Sequence, residues 1–161
     1  MIEIVPYDEI YEMDIHEMLV HIEAEFEQPI RDLSKKTIRK LPDKYWLALK
    51  NKEVVGTVGL IFIQPQNAIL KSMMVRKDCR GRTEGLSQLL LQKAMDCCIK
   101  KGVETIYLGT MPQFKAAQKF YQKNGFKELE DKRLPENFLG NPLDKIFFYK
   151  KIKATNDSIN E

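Results

Sequence analysis

The chain has 161 residues, of which 43% are hydrophobic and 30% are charged, which is enough apolar material for a single globular domain with its own core. Its 26 basic and 23 acidic residues give a formal net charge of +3, so neither sign dominates the surface and no nucleic-acid partner is indicated. The longest apolar stretches, such as Val54–Ile63, are shorter than the roughly 18 residues of a membrane-spanning helix, so no membrane association is expected.

Strand-like and helix-like segments alternate along the chain without internal repeats, which predicts one α/β unit. Prolines and glycines mark the ends of the segments, and a polar turn at Asn51 and Lys52 joins two strands into a hairpin. In chain order, the predicted elements are a strand at Ile2–Pro6, helices at Tyr7–Glu27 and Asp32–Leu41, strands at Tyr45–Lys50, Glu53–Ile63 and Ala68–Val75, and a helix at Gly85–Lys101. A strand at Thr105–Thr110, a helix over Met111–Gly125 that Gly125 stops, and strands at Phe126–Asp131 and Lys145–Ile152 follow. Residues 1–152 form the predicted domain, and 153–161 read as a flexible tail.

The compartment and metal content follow from the N-terminus, the cysteines and the histidines. The first ten residues lack the basic start, apolar core and cleavage site of an export signal, which predicts a cytoplasmic protein. Three cysteines cannot all pair, and Cys97 and Cys98 are adjacent on a predicted helix, so reduced thiols are expected. His16 and His21 are five residues apart, which is not the spacing of a helical metal pair, and no metal is predicted.

The stretch VRKDCRGRTEGLSQLLLQKA runs from an apolar strand through a basic turn into a leucine-rich helix. Amides at a helix N-terminus attract anions. Gly81 and Gly85 let the backbone approach a ligand, and Arg80 and Arg82 add positive charge, so the turn has the ingredients of a phosphate cradle. It lacks the sequence of a nucleotide-triphosphate loop and of a dinucleotide-binding loop. A plain basic surface turn is the alternative interpretation.

Two segments resemble the GNAT superfamily of acetyl-coenzyme A-dependent N-acetyltransferases. Arg82–Ser87, RTEGLS, is similar to the family's Q/R-x-x-G-x-G/A segment, with Ser87 in place of glycine or alanine. Ala116–Phe126, AAQKFYQKNGF, is similar to the family's A-x-x-F/L-Y-x-K-x-G-F helix end, and Phe114 stands where many members have asparagine. Arg80-Gly81 offers a second alignment of the first segment. We favour the alignment at Arg82–Ser87, and the other stays open.

The resemblance implies a GNAT-like fold, with a mixed central sheet of about six or seven strands flanked by about four helices. It implies acetyl-coenzyme A as the acetyl donor, and Tyr121 as the general acid that protonates the departing thiolate. The strand that ends at Val75 would diverge from the strand Thr105–Thr110 and present backbone amides to the pantetheine arm. The implied cofactor-binding residues are Met73, Met74, Val75, Arg80, Gly81, Arg82, Thr83, Glu84, Gly85, Leu86 and Ser87.

The acceptor side is less defined, because the strand Ala68–Val75 carries no acid that could deprotonate an amine. Glu23 and Glu25 are candidates for attracting a cationic amine, with plain solvent-facing acids as the alternative. Phe138 lies in a long loop that either caps the acceptor pocket or is ordinary surface. A reactive thiol at Cys79, in the basic turn, is a minor alternative.

The function predicted from the resemblance is acetyl transfer to a primary amine of a small molecule, peptide or protein. The alternative is a non-catalytic acyl-coenzyme A-binding or regulatory module on the same fold. The identity of the amine is open, and so is the state of assembly, for which a homodimer is one alternative.

Overall fold

The computed structural model describes residues 1–30, 41–81, 85–130 and 133–152. The strands are β1 Ile2–Pro6, β2 Lys44–Lys50, β3 Glu53–Ile63, β4 Asn67–Val75, β5 Thr105–Thr110, β6 Lys127–Glu128 and β7 Ile146–Lys151. They form one seven-stranded sheet in the order β1-β2-β3-β4-β5-β7-β6. The predicted α/β class and the mixed sheet are confirmed, and β3 and β5 begin and end where the sequence predicted.

The first half of the sheet is antiparallel. β1 pairs with β2 from Ile2 opposite Lys50, and β2 pairs with β3 through a hairpin. At its tip Asn51 and Lys52 have φ angles of 51° and 67°, and two successive positive φ values are typical of the turn that best matches the twist of a hairpin. The predicted hairpin is therefore confirmed.

The parallel part of the sheet is short. β4 and β5 pair through Asn67 with Thr105, Ala68 with Ile106, and Ile69 with Tyr107, and the ladder includes no later residue of β4. β7 then pairs antiparallel with β5 along its whole length and with the two residues of β6. The sheet is therefore mixed, because the pairing between β4 and β5 is parallel whereas that between β5 and β7 is antiparallel.

Three α-helices lie within the described residues: α1 Glu12–Glu23, α2 Leu86–Lys100 and α3 Lys115–Lys123. Each is shorter than predicted. A short turn at Glu9–Tyr11 precedes α1 and a turn from Met111 to Phe114 precedes α3, whereas α2 is one residue shorter at each end. Residues 32–40 of the fourth predicted helix, and the predicted tail 153–161, lie outside the described residues. In the part of the chain that is described, no helix is both long and apolar enough to cross a bilayer.

Contacts divide the chain into two compact units. The first contains the described residues of 1–27, 40–61 and 70–97, and its core includes Ile15, Leu47, Val55, Leu60 and Leu90, each buried. The second contains the described residues of 28–39, 62–69 and 98–161, with a core that includes Ile69, Ile106, Leu108 and Phe148. Each unit therefore buries its own apolar side chains.

Candidate active site

The backbone of β4 is kinked at Ser72. Its φ of 51° is left-handed, a conformation that residues with side chains seldom adopt inside a strand and that is typical of a β-bulge. The hydroxyl of Thr57, on β3, donates a hydrogen bond of 2.6 Å to the carbonyl oxygen of Ser72. The predicted cofactor-binding residues Met73 and Met74 follow the kink directly and are half-buried, and Val75 is buried. The kink therefore sets the path of this predicted segment.

The strand β3 also approaches the last residues of β4 closely. A side chain at Gly56 would lie 3.0 Å from the carbonyl oxygen of Met74 and 2.9 Å from the Cδ1 of Leu90 on α2, so any larger residue here would displace the backbone of Met74 or the Leu90 side chain. The amide of Arg76 donates to the carbonyl of Val55 at 2.8 Å. The two strands therefore stay joined after the kink.

Arg80 and Glu25 are brought together, although the sequence predicted the first for the cofactor and the second for the acceptor. The two Nη atoms of Arg80 donate to the two carboxylate oxygens of Glu25 at 2.5 and 2.9 Å. Its Nε donates to the carbonyl oxygen of Val75 at 2.8 Å. This bidentate fork is the strong form of an ion pair. It ties the turn after β4 to the segment after α1.

The neighbouring Arg76 forms ion pairs with two acids and also contacts the sulfur of Cys79. Arg76 contacts Asp78 at 2.6 Å and Glu53 at 3.2 Å, and its hydrogen bond is the main cause that lowers the pKa of Asp78. Cys79 is only 3% exposed, and burial, followed by the charge of Asp78, raises the pKa of its thiol. Since a reactive cysteine needs a lowered pKa, these surroundings disfavour Cys79 as a nucleophile.

The glycines at the mouth of α2 leave the backbone open. Gly81 and Gly85 have φ angles of 123° and 59°, and a side chain at either would meet none of the described residues within 4 Å. The carbonyl of Gly85 accepts the first helical hydrogen bond from Leu89. Open backbone at the N-terminus of a helix suits an anionic group such as a pyrophosphate. The site predicted from Arg80 to Ser87 fits such a group here, although Arg82, Thr83 and Glu84 lie outside the described residues.

Leu86 and Ser87, two more of the predicted cofactor-binding residues, begin α2 and differ in burial. Leu86, the first helical residue, is buried at 1% exposure, so its side chain belongs to the core. Ser87 is half-buried. Leu86 can therefore contact a ligand through its backbone but not through its side chain.

Tyr121 lies on α3 with its side chain directed into the core. It is 6% exposed, and its ring centroid lies 5.8 Å from that of Phe120, 5.7 Å from Phe126 and 6.1 Å from Phe148. Burial, and secondly the charge of Asp144, raise the pKa of the phenol well above its ordinary value. Tyr121 therefore keeps its proton throughout the neutral pH range.

Asp144 is an acid that sequence reasoning did not select. A side chain added at Gly109 on β5 would lie 2.6 Å from its carboxylate oxygen, so the carboxylate lies directly on the strand backbone. The amide of Asn141 donates to the same oxygen at 3.2 Å. No motif marks Asp144. The folding of its loop against β5 brings its charge close enough to raise the pKa of Tyr121.

The loop before β7 holds the predicted Phe138. Its ring packs edge-on against Phe147 at 5.8 Å between centroids, and Asn141 anchors the loop by donating to the carbonyl of Ile30 at 3.3 Å. Phe138 thus packs against Phe147, the residue of β7 that pairs with Gly109 on β5. Glu23, the other predicted acceptor residue, is half-buried at the last position of α1.

The cysteines and histidines of the described residues form neither disulfides nor a metal site. All three cysteines are free thiols, in line with the prediction of reduced cysteines. His16 and His21 are both exposed on α1. Within residues 1–30, 41–81, 85–130 and 133–152, no group of three or more His, Cys, Asp or Glu side chains is arranged to hold a metal ion.

Comparison with known families decides the class of the protein. The model of the acetyltransferase (GNAT) family matches residues 7–126, well over half of the chain. The chain belongs to the GNAT acetyltransferase family. The predicted resemblance is therefore confirmed, and the match includes both the turn after β4 and the α3 segment that carried it.

Individual proteins agree with this assignment. A GNAT-family acetyltransferase from Staphylococcus aureus Mu50 shares 30% identity at a TM-score of 0.83, over 95% of this chain and 100% of that chain. The N-acetylaspartate synthetase of Xenopus tropicalis is 25% identical over 134 residues, 81% of this chain and 49% of that protein, so the chain spans about half the length of that relative. The N-acetylglutamate synthase of Neisseria gonorrhoeae, solved with coenzyme A and N-acetyl-glutamate, shares the fold at 12% identity and a TM-score of 0.70, over 96% of this chain and 36% of that chain.

Family membership makes the chain a GNAT N-acetyltransferase, and acetyl-coenzyme A is the acetyl donor of that family. The predicted enzyme class and the predicted acetyl donor are thereby confirmed. The alternative of a non-catalytic binding module has no support from these comparisons.

Proposed function

We propose that this N-acetyltransferase transfers the acetyl group to a primary amine of a small molecule, peptide or protein by direct attack, with Tyr121 as general acid. The observation that carries the proposal is the family match over residues 7–126, which include the α3 segment with Tyr121. The phenol stays protonated at neutral pH, because burial raises its pKa, so it has a proton to give. Surroundings of low polarity also raise the basicity of a thiolate that leaves a thioester, which allows that thiolate to accept the proton.

The residues that would hold acetyl-coenzyme A lie in two neighbouring segments. The backbone of Met73 and Met74 would contact the pantetheine arm, and the open backbone at Gly81 and Gly85 would receive the pyrophosphate. When bound, the group supplies an acetyl thioester whose carbonyl carbon accepts the amine and whose carbon–sulfur bond breaks. The helix dipole of α2 favours the negative charge of the pyrophosphate.

Asp144 is our candidate for the acidic group that the sequence did not provide. Its carboxylate lies on the backbone of Gly109, and its charge affects Tyr121. A carboxylate near the general acid attracts a protonated amine and can take up its proton, directly or through a water molecule. Phe138, packed on Phe147 beside it, would add an apolar wall for the acceptor. Glu23 stays a second candidate, whereas Glu25 is engaged with Arg80.

The test is calorimetric titration with acetyl-coenzyme A, followed by thiol release in the same sample against a panel of amines. The panel includes aspartate and glutamate, because two similar proteins are named for acetylated forms of these amino acids. It also includes simple alkylamines, polyamines and peptides with free N-termini. Binding followed by release on at least one amine is the expected result.

Binding without release on any amine would contradict the proposed acceptor class, and no binding would contradict the assignment of the two cofactor segments. The same samples address assembly, since light scattering distinguishes a homodimer, one of the alternatives that the sequence leaves open, from a monomer. A cytoplasmic location also stays part of the proposal, and its support is the three free thiols.

A further inference from the structure

We propose that Thr57 is a positioning residue for acetyl-coenzyme A: its hydroxyl holds the kink of β4 at Ser72, and the kink directs the backbone of Met73 toward the acetyl donor. The inference rests on the proposed role of β4 in cofactor binding. It concerns β3, which none of the sequence motifs touched.

The first step is the strain at Ser72. A left-handed φ of 51° in a strand residue with a side chain costs free energy. Such a conformation persists only when surrounding contacts compensate for it. The contact at this position is the 2.6 Å hydrogen bond from the Thr57 hydroxyl to the carbonyl oxygen of Ser72 itself.

The second step is the presence of a hydroxyl at position 57. Thr57 has no exposed surface, and its neighbours along β3 include the fully buried Val55 and Val58. Valine has nearly the same shape as threonine and avoids the cost of burying a polar group. A threonine in this apolar strand is therefore best explained by the partner of its hydroxyl, which is Ser72.

The third step is the direction that the kink imposes. The carbonyl oxygens of Ser72 and Met74 both lie against β3, the first on Thr57 and the second beside Gly56. Neighbouring residues of a strand point their backbone groups to opposite sides. The backbone of Met73 therefore turns away from β3, which leaves it available to a ligand. Loss of the Thr57 contact would let Ser72 relax to a normal strand conformation and rotate Met73 out of position.

The experiment compares Thr57→Val with Thr57→Ser in the full chain, by calorimetric titration with acetyl-coenzyme A and by thiol release with an amine found active in the panel. Removal of the hydroxyl is expected to weaken acetyl-coenzyme A binding about tenfold, which is the effect of losing about 1.4 kcal/mol, the size of one net hydrogen bond. Thr57→Ser keeps the hydroxyl and should bind within about threefold of the wild type. KM for acetyl-coenzyme A should rise in parallel with Kd.

A second substitution separates positioning from simple stability. Glycine adopts the left-handed conformation without strain, so Ser72→Gly added to Thr57→Val should restore the affinity to within about threefold of the wild type. The control is Val58→Ala, which removes buried volume from the adjacent position and should lower Tm while leaving the affinity unchanged at 20 °C. If Thr57→Val alone does not fold, the double variant carries the test.

The outcomes separate the two proposals. Acetyl-coenzyme A binding by the wild type and equally by folded Thr57→Val would overturn the inference while the proposed function stands. A folded double variant that stays about tenfold weaker than the wild type would overturn it as well, because the strain at Ser72 would then not be the cause. Absence of binding by the wild type would instead contradict the proposed cofactor segments.

Discussion

Replacement of Tyr121 by phenylalanine tests the proposed mechanism most directly. The ring is held by three aromatic neighbours at centroid distances between 5.7 and 6.1 Å, and phenylalanine preserves all of these contacts. The substitution therefore removes one oxygen and its proton and little else. We expect the free energy of unfolding at pH 7 to change by less than about 1.5 kcal/mol, which is the range of one hydroxyl's net contribution.

The loss of turnover should be much larger than the loss of stability. A positioned general acid contributes on the order of 10²- to 10⁴-fold, so kcat for Tyr121→Phe should fall at least a hundredfold at saturating acetyl-coenzyme A. Kd for acetyl-coenzyme A should stay within about threefold of the wild type, because the phenol acts on the departing thiolate. Tyr149→Phe, on β7, is the matched control and should retain full activity.

The pH dependence adds a second readout. Because burial raises the pKa of Tyr121 above its ordinary value of about 10, stability tied to its proton is full below about pH 10 and is lost as pH rises through the folded-state pKa. The phenylalanine variant lacks this titration, so its stability should fall less at alkaline pH. Turnover of Tyr121→Phe within threefold of the wild type would refute the role of Tyr121 as general acid.

Three further substitutions or reactions test other parts of the structure. Gly109→Ala should cost about 1–3 kcal/mol in urea unfolding, because its Cβ would lie 2.6 Å from the Asp144 carboxylate and 3.0 Å from the Phe147 ring, which must then shift; unchanged stability would mean that the Asp144 side chain moves aside without cost. Glu25→Gln should cost only about 1 kcal/mol, since the Arg80 side chain is 39% exposed, and a loss above about 3 kcal/mol would indicate a fully buried pair. Cys79 should react slowly with a thiol reagent in the native protein, because burial raises its pKa, and rapid labelling followed by mass spectrometry would contradict this.

The strands that the sequence predicted best are those whose ends carry local information. β3 lies between the Asn51-Lys52 turn and a proline-containing turn, and β5 follows the stop at Gly102, whose φ is 73°. Such turns need particular residue types, and therefore they can be recognised without knowledge of the rest of the fold. The α3 motif placed Tyr121 on a helix for the same reason.

The contacts that define the site could not be predicted in this way, because they join distant parts of the chain. Arg80 and Glu25 are 55 positions apart, and Thr57 and Ser72 are 15 positions apart. Nothing in the local pattern distinguishes Thr57 from an ordinary strand threonine. Its partner is defined only once β3 and β4 are paired in one register, and sequence reasoning does not supply that register.

The Arg80–Glu25 fork bears on which arginine would neutralise a pyrophosphate. All three donor nitrogens of the Arg80 guanidinium are directed at protein oxygens, two at Glu25 and one at Val75. A phosphate that recruited Arg80 would have to displace a carboxylate from a bidentate pair, which offsets much of the Coulombic gain. The backbone amides at the start of α2 need no such displacement. This reasoning disfavours Arg80 as the residue that neutralises the pyrophosphate, and the alignment at Arg82–Ser87 stays our proposal. Under it, Arg82→Ala should weaken acetyl-coenzyme A binding more than Arg80→Ala, and the reverse order would return the assignment to Arg80.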